Sequence, residues 1–267
     1  MLPQVGWAEM GIAKFCLETA AVADVELRKL ARDPTELITR AVQPVLWLTV
    51  FGQVMEKVRG IHSGPGSYLV FITPGILAQS VLFSAIFYGI AVIWERDLGV
   101  VHKQLVSPAY RSALVLGKAL SAGFRGLVQC GVIYALAASM QLPMRYEPLA
   151  VLAVLCTVVL GSALFSTFSL IIACIVKTRE RFMGVGQVLT MPLFFASSAI
   201  YPLDLMPDWL KLVARFNPLT YLVDALRSLM VPGELSASHI ATDLGILTII
   251  ALALIAIAVR LYPGLVR

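Results

Sequence analysis

The residue types that most often carry catalysis are few in this sequence, and they stand apart from one another. The histidines His62, His102 and His239 are isolated, and neither an HExxH nor a GxSxG pattern occurs. Gly117-Lys118 is followed by alanine and lacks the upstream glycine of a phosphate-binding loop. We therefore expect no catalytic, nucleotide-binding or cofactor-binding residue in this chain.

Neither a metal site nor an ion-coupling site is indicated. The four cysteines have no CxxC or CxxxH spacing, which predicts a role in packing. Glu36 and Asp243 lie at the ends of apolar runs, whereas ion-coupled carriers place carboxylates at mid-membrane. Arg125 lies within an apolar run, where a central arginine costs about 2.5–3.5 kcal/mol. It either extends toward lipid phosphates or faces an inter-helix cavity with Gln129, where it could position a polar substrate.

The composition requires lipid as the solvent for most of the chain. Of the 267 residues, 59% are hydrophobic and 14% are charged, against about 45–50% and 25% in soluble domains. The net charge of +5 could indicate nucleic-acid binding, but the basic residues lie between apolar runs, which favours anionic lipid headgroups as partners. The sequence predicts an all-α polytopic membrane protein with a single transmembrane domain, 1–267, and no nucleic-acid partner.

Hydrophobic runs and turn residues predict six transmembrane helices. An amphipathic helix, 20–33, precedes them and is expected to lie in the headgroup plane, with Ala23, Leu27 and Leu30 on its apolar face. Thr73-Pro74-Gly75 predicts a break in helical hydrogen bonding within the second span. The six spans are expected at about 37–55, 68–94, 113–140, 149–176, 182–201 and 241–261.

The distribution of basic residues predicts the orientation. With the N-terminus in the cytoplasm, inner segments hold 14 of the 21 Lys and Arg residues and outer segments hold 6. Cytoplasmic loops carry an excess of Lys and Arg. We therefore expect a multi-pass protein of the cell (inner, cytoplasmic) membrane with both termini in the cytoplasm.

Two segments between the spans contain both charged and apolar residues. The segment 95–108 mixes charges with leucine and valine, which predicts a short amphipathic piece outside the bilayer. The segment 202–232 predicts two short helices at the outer surface, separated at Asn217-Pro218. Asp224 and Arg227, at i and i+3, favour a surface ion pair worth a few tenths of a kcal/mol, and a role in an outer gate is the alternative.

Three stretches together resemble a known family. They are YLVFITPGILAQSVLFSAIFYG at 68–89 running into WERDLGVVHKQLVSP at 94–108, then GKAL at 117–120, then FNPLTYLVDALRSLM at 216–230. In this order they are similar to permeases of type-2 ABC exporters, particularly the daunorubicin-resistance class. The resemblance covers nearly the whole chain.

The resemblance implies a division of labour between subunits. Two permeases, either two copies of this chain or this chain and a paralogue, would pair and dock on two separate ABC ATPase subunits, which bind ATP and Mg. The segment 95–108 would be a cytoplasmic coupling helix that inserts apolar residues into the ATPase. Its candidate coupling residues are Glu95, Arg96, Asp97, Leu98, Gly99, Val101, Lys103 and Leu105.

The resemblance also assigns candidate residues elsewhere. The N-terminal helix would bring Arg28, Lys29 and Arg32 to lipid phosphates or to the ATPase. Spans two and five would line the pathway, with Gln79, Phe83, Phe87, Phe194 and Phe195 as candidates beside Arg125. Aromatic residues at this spacing also suit simple packing. The segment 202–232 would be an extracellular re-entrant segment that closes the outer end through Asn217, Pro218, Asp224 and Arg227.

The resulting expectation is a permease that exports a hydrophobic or amphipathic drug, lipid or glycolipid by alternating access. Export of a polysaccharide or glycoconjugate is the alternative within the same class. An ATP-independent channel or a membrane scaffold is the alternative from another class, because missing catalytic residues exclude neither.

Overall fold

The computed structural model describes residues 7–32, 34–58, 67–106, 109–176, 178–233 and 237–266, and all regular secondary structure in these ranges is helical. A π-helical stretch, Trp47–Gly52, joins α2 to α3, and 3-10 turns occupy Leu203–Leu205 and Tyr262–Val266. The α-helices are α1 (Trp7–Arg32), α2 (Pro34–Leu46), α3 (Gln53–Glu56), α4 (Tyr68–Asp97), α5 (Val100–Val106), α6 (Arg111–Ser139), α7 (Pro148–Ile175), α8 (Arg179–Phe195), α9 (Asp208–Phe216), α10 (Pro218–Met230) and α11 (Ala237–Leu261).

Four helices among the described residues are long and apolar enough to cross a membrane: α4, α6, α7 and the stretch Ser238–Leu265, which contains most of α11. The chain is therefore an all-α polytopic membrane protein. The spans predicted at 37–55 and 182–201 fall on the α2–α3 stretch and on α8, which has 17 residues. The number of six spans stays a prediction.

α4 lies at the centre of the bundle, against α6, α7, α8 and α10. Small residues allow the closest approaches. The backbone N–H of Gly89 donates to Ser169 Oγ of α7 at 3.0 Å, and that hydroxyl donates to the carbonyl of Ile86 at 2.5 Å. α4 and α7 are thus joined by polar as well as apolar contacts. This is expected in a membrane, because the hydrophobic effect does not drive helices together in lipid, and close packing and hydrogen bonds between helices do so instead.

We distinguish two ends of the bundle. At the α5 end, α4, α7 and α11 finish while α6 and α8 begin, and α5 connects α4 to α6. At the α9 end, α4, α7 and α11 begin, and α9 and α10 lie between α8 and α11. Functional residues gather at both ends.

The break in hydrogen bonding predicted at Thr73-Pro74-Gly75 does not interrupt α4, which continues through these residues although Pro74 has no N–H to donate. Packing keeps this stretch helical, because all three residues are buried. The Thr73 hydroxyl also donates to the carbonyl of Leu69 at 2.6 Å. Prolines are tolerated in membrane helices where neighbouring groups satisfy the backbone groups that lose their helical hydrogen bonds. Gly75 serves a close contact with the segment after α8 rather than a break.

Replacing Gly75 with alanine is expected to destabilise the protein by about 1–3 kcal/mol. An added Cβ would overlap the backbone carbonyl of Ala199 and lie 2.8 Å from its Cα, and backbone cannot rotate away. Gly131 of α6 is the matched control, since a Cβ there meets nothing within 4 Å. Thermal unfolding of both purified variants measures the difference. An equal midpoint for Gly75→Ala and Gly131→Ala would contradict the contact.

Two predictions about α1 need correction. The helix starts at Trp7 rather than near residue 20. The side that faces the protein carries Thr19, Glu26 and Leu30, whereas Leu27 is 38% exposed. Helical periodicity alone did not find this face, because a buried glutamate lies in it. The reason lies in α6 and α4, which supply partners for that carboxylate.

Candidate functional site

Four charged side chains from three helices meet where α4 ends. We call Glu26 and Lys29 of α1, Glu95 of α4 and Lys118 of α6 the charge cluster. Lys118 Nζ donates to Glu95 Oε2, and Lys29 Nζ donates to Glu95 Oε1 at 2.5 Å. Lys29 Nζ also donates to Glu26 Oε1 at 2.8 Å, which lies 4.0 Å from Lys118 Nζ. Glu95 thus joins α1 to α6 through one carboxylate.

The charge cluster is electrically balanced, and three of its four side chains are buried, whereas the side chain of Lys29 is 47% exposed. Lys118 is 1% exposed and Glu26 is 4% exposed, while two carboxylates face two ammonium groups. Buried ions are tolerated when each has a partner with good geometry. Burial by itself lowers the pKa of Lys29, but the hydrogen bonds that Lys29 donates to Glu26 and Glu95 outweigh it, so that this pKa is raised. Lys29 therefore stays charged at physiological pH.

Further contacts fasten neighbouring elements to the same place. Asp97, the last residue of α4, accepts from Arg179 at 2.8 Å, and the guanidinium of Arg179 lies 3.4 Å from the ring centroid of Trp94. The Tyr262 hydroxyl donates to Gln104 Oε1 at 3.0 Å and so ties the C-terminal turn to α5. The end of α4 is thereby connected to α1, α6 and α8, and α5 to the C-terminal turn.

The structure separates the predicted coupling residues into two groups. Glu95 lies within α4 and is buried in the charge cluster, so it belongs to no loop. Val101 is 0% exposed, and Leu105 packs against an apolar core that includes Tyr88. Gly99, with φ +72°, allows the chain to turn between α4 and α5.

The second group faces outward. Leu98 is 71% exposed and Val106 is 75% exposed, with Lys103 exposed between them. Arg96 bonds to Asp97 at 2.8 Å. Ser107 and Pro108, the end of the predicted coupling segment, lie outside the described residues. α5 therefore offers an apolar surface with one cation.

The basic residues predicted on the N-terminal helix also divide. Lys29 belongs to the charge cluster, whereas Arg28 forms an exposed pair with Asp24 at 2.8 Å. Arg32 is exposed in the last turn of α1. Arg28 and Arg32 are accessible to a lipid or protein partner, whereas Lys29, although 47% exposed, is engaged by two carboxylates.

At the α9 end, Asn217 separates α9 from α10 and holds three backbone groups. Its Oδ1 accepts from the N–H of Leu219 at 3.0 Å and caps α10. Its Nδ2 donates to the carbonyls of Leu193 and Ala196 at 2.6 and 2.9 Å. Pro218 follows at the first position of α10, which suits a residue without an N–H. One side chain thus joins the end of α8 to the start of α10. We call this set of contacts the Asn217 junction.

The predicted ion pair between Asp224 and Arg227 forms, but it is not a surface pair. The pair exists, with 3.2 Å between Arg227 Nη1 and Asp224 Oδ1, but Arg227 is only 8% exposed. Arg227 Nη2 also donates to the carbonyl of Ser198 at 2.7 Å, and its guanidinium lies 4.0 Å from the ring centroid of Phe71. The i, i+3 spacing could not reveal burial, because α4 and the segment after α8 cover this face of α10.

Comparison with known proteins agrees with this architecture. A family model described as ABC-2 type transporter matches residues 18–231. The chain belongs to this family. A putative transport permease, ycf38, of Cyanophora paradoxa is 31% identical over 205 residues, which cover 75% of this chain and 70% of the relative. The inner membrane transport permease YadH of Escherichia coli K12 is 24% identical over 198 residues, covering 72% and 73%. Nodulation protein J of Rhizobium leguminosarum bv. trifolii is 23% identical over 197 residues, covering 73% and 74%.

The chain is thus the transmembrane component of an ABC transporter, a multi-pass membrane permease. Two of these relatives are named transport permeases. The family model includes α4, α5, α6 and α10 and most of α1, and therefore both the charge cluster and the Asn217 junction.

The candidate pathway residues of this permease do not share one environment. Gln79 is 3% exposed and Phe194 is 2% exposed, so both are packed inside the chain. Phe87 is 36% exposed and Phe195 is 48% exposed. Phe83 is partly buried, with its ring centroid 6.4 Å from that of Phe87. Only the partly and largely exposed aromatics are placed to contact a substrate or another subunit without rearrangement.

Arg125 does not extend toward lipid phosphates. It is 6% exposed, and its guanidinium lies 5.0 Å from the ring centroid of Tyr88 in α4. Gln129, one turn along α6, is 1% exposed. The aromatic face of Tyr88 offers the cation an attraction that strengthens when both groups are desolvated. Arg125 therefore takes part in the packing of α6 against α4.

Sequence reasoning missed Glu26 and Lys118 as functional residues. Both lie in helices among apolar neighbours, and a signal was present in each, since a charge on an apolar face requires a partner. The partner could not be identified, because Glu26 and Lys118 are far apart in sequence and belong to different helices. Ser198, whose hydroxyl donates to Asp224 at 2.7 Å, was missed for the same reason.

Proposed function

We propose that this chain is the permease half of an ATP-driven exporter for a hydrophobic or amphipathic substrate. A separate ABC ATPase binds ATP and Mg and docks at the α5 end, which faces the cytoplasm together with both termini. Two permeases pair to form the pathway, and each binds one ATPase. The family membership supports the transport role, and the excess of basic residues on the inner segments supports the orientation.

The observation that carries the proposal is the position of α5 directly beside the charge cluster. α5 follows Glu95 by about one turn, exposes Val106 and buries Val101 in the core, and Leu98, just before α5, is exposed as well. A protein that holds the exposed residues would pull on a segment whose other side is fixed to α4. Burial of such exposed apolar side chains by a partner removes apolar surface from water and so favours association.

The charge cluster would pass this movement on. Glu95 is bonded to α1 and α6, and Asp97 is bonded to α8 through Arg179. A displaced α5 would therefore move the ends of four helices together instead of one. At the α9 end, the Asn217 junction connects α8 to α10, so a shift of α8 would reach the proposed outer gate.

The docking test replaces Leu98 and Val106 together with aspartate. We expect roughly a 10-fold or greater loss of ATPase recovered with the tagged permease, because burying these carboxylates in an apolar groove is unfavourable. The measurement is co-purification with the cognate ATPase, followed by an ATP hydrolysis assay. Leu105 is unsuitable as a target, since its packing in the core would confuse docking with folding.

Leu149→Asp serves as the control. Leu149 is 79% exposed in the first turn of α7 at the opposite end of the bundle, so it should leave ATPase recovery unchanged. Full recovery of ATPase by the Leu98 and Val106 double variant would show that α5 is not the docking element. Substrate movement by the purified permease without ATPase and nucleotide would favour a channel instead.

A further inference from the structure

A groove runs along α8 at the α5 end of the bundle. Its walls come from the last turn of α7 and the first turns of α8, and its cavity volume is about 720 Å³. α8 packs against α4 and α7. In the part of the chain that the structure describes, most of the remaining surface of α8 is exposed. The groove is lined by Ile175, Val176, Arg181, Gly184, Val185 and Val188, among others.

The lining is apolar except at one point. Ile175 is 67% exposed and Val188 is 72% exposed, which leaves their side chains without protein neighbours on the outer side. Gly184 widens the groove, since an added Cβ would meet no atom within 4 Å. The apolar wall from Arg181 to Val188 is about 10 Å long at the rise of an α-helix. It can hold a hydrocarbon chain lying along the helix.

Arg181 supplies the one cation of the lining, and it forms no ion pair within the part of the chain that the structure describes. Arg179, two residues earlier, is engaged by Asp97 and by the ring of Trp94. The two neighbouring arginines therefore differ in role. Arg179 holds α8 to α4, whereas Arg181 keeps its guanidinium available at the edge of the groove.

An exposed guanidinium at the end of an apolar groove matches a ligand with an acidic head and an apolar tail. Arginine binds carboxylate and phosphate in a planar, two-pronged geometry. A second copy of this chain packed symmetrically at this point would instead bring two Arg181 side chains toward each other. Charge complementarity thus favours an anionic amphiphile over a second permease.

We propose that this groove binds an anionic amphiphile, with its acidic group on Arg181 and its chain along Gly184, Val185 and Val188. The amphiphile enters from the inner leaflet as transported substrate. The identification of the ligand as substrate rests on the proposed function, and it narrows the substrate class to acids with an apolar chain. Binding itself requires only the permease.

The binding test uses purified permease in nanodiscs of phosphatidylcholine, with a dansyl-labelled fatty acid as the probe. We expect the dansyl fluorescence to report saturable binding to the unmodified protein and roughly 10-fold weaker binding to Arg181→Gln. Gly184→Leu should abolish binding, because its Cβ meets no atom within 4 Å and the rest of the leucine side chain would occupy the groove. The methyl ester of the probe should bind weakly and equally to the unmodified protein and to Arg181→Gln.

Arg111→Gln is the matched control, since Arg111 is exposed at the same end of the bundle and lies outside the groove lining. It should bind the probe as the unmodified protein does. Equal binding of acid and ester, or binding that neither Arg181→Gln nor Gly184→Leu weakens, would overturn the proposal. A dimer that Gly184→Leu converts to monomer with probe binding intact would assign the groove to a subunit interface and overturn it as well.

A second arm separates substrate from resident lipid. With the ATPase bound, ATP-dependent export of the probe should fall about 10-fold in Arg181→Gln, in proportion to its binding. Displacement of the probe by phosphatidylglycerol together with no ATP-dependent export of it would identify a resident lipid and overturn the substrate assignment. Failure of any ATPase to associate would count against the proposed function, whereas the binding arm would still decide the groove.

Discussion

Replacement of Glu95 with glutamine is expected to lower the free energy of unfolding by about 3–5 kcal/mol. The change leaves Lys118, 1% exposed, with Glu26 at 4.0 Å as its remaining carboxylate in the charge cluster. An uncompensated buried ammonium is the cause of the loss. Thermal unfolding of the purified permease, where a shift of roughly 10 °C is expected, measures it.

The double variant Glu95→Gln with Lys118→Met separates charge from shape. It removes one charge of each sign, so that the charges of Glu26 and Lys29 still balance. We therefore expect its free energy of unfolding to lie closer to that of the unmodified protein than the free energies of the two single variants do. The exposed pair provides the control, since Asp24→Asn removes an ion pair whose side chains are 52% and 72% exposed. Its effect should be below about 1 kcal/mol.

The same double variant tests coupling separately from folding. If the charge cluster carries movement from α5 to α1 and α6, the double variant should fold and hydrolyse ATP with its ATPase partner but export substrate about 10-fold more slowly. Normal export by the double variant would restrict the charge cluster to a structural role. Unchanged stability of Glu95→Gln would contradict the buried geometry itself.

Replacement of Asn217 with alanine is expected to destabilise the protein by about 2–4 kcal/mol, as estimated from the cost of unsatisfied buried groups. Asn217 is the only asparagine in the sequence and is 4% exposed. Its loss leaves two carbonyls and one N–H without their partner at the junction of α8 and α10. Chemical or thermal unfolding of the purified permease measures the change.

Asn217→Ser divides this effect into its parts. Serine keeps an oxygen that can cap α10 but cannot reach the two carbonyls, so its stability should lie between those of the alanine variant and the unmodified protein. Ser139→Ala, which removes an exposed hydroxyl bonded to the carbonyl of Leu136, should change little. A serine variant as unstable as the alanine variant would assign the whole effect to the two carbonyl contacts.

Membrane class and helical content followed from the sequence, because apolar runs of sufficient length leave few other structures open to a chain in lipid. The break at Asn217-Pro218 was also readable, since a proline restricts the residue before it and suits the first turn of a helix. The continuity of α4 through Pro74 could not be predicted from the sequence, because surrounding side chains hold that part of α4 helical. Local rules succeeded where no packed neighbour opposed them.

The sequence by itself determined that this chain is a helical membrane protein, and its ordered motifs were sufficient to indicate the permease family. Only the tertiary structure decided which charges face one another. Glu95 was predicted to belong to the coupling segment outside the bilayer, yet it lies in α4 and bonds to Lys29 and Lys118. Arg227 was read as a surface residue, yet Ser198 and Phe71 enclose it. The physical reason is that burial and pairing depend on helices distant in sequence, which a local pattern does not contain.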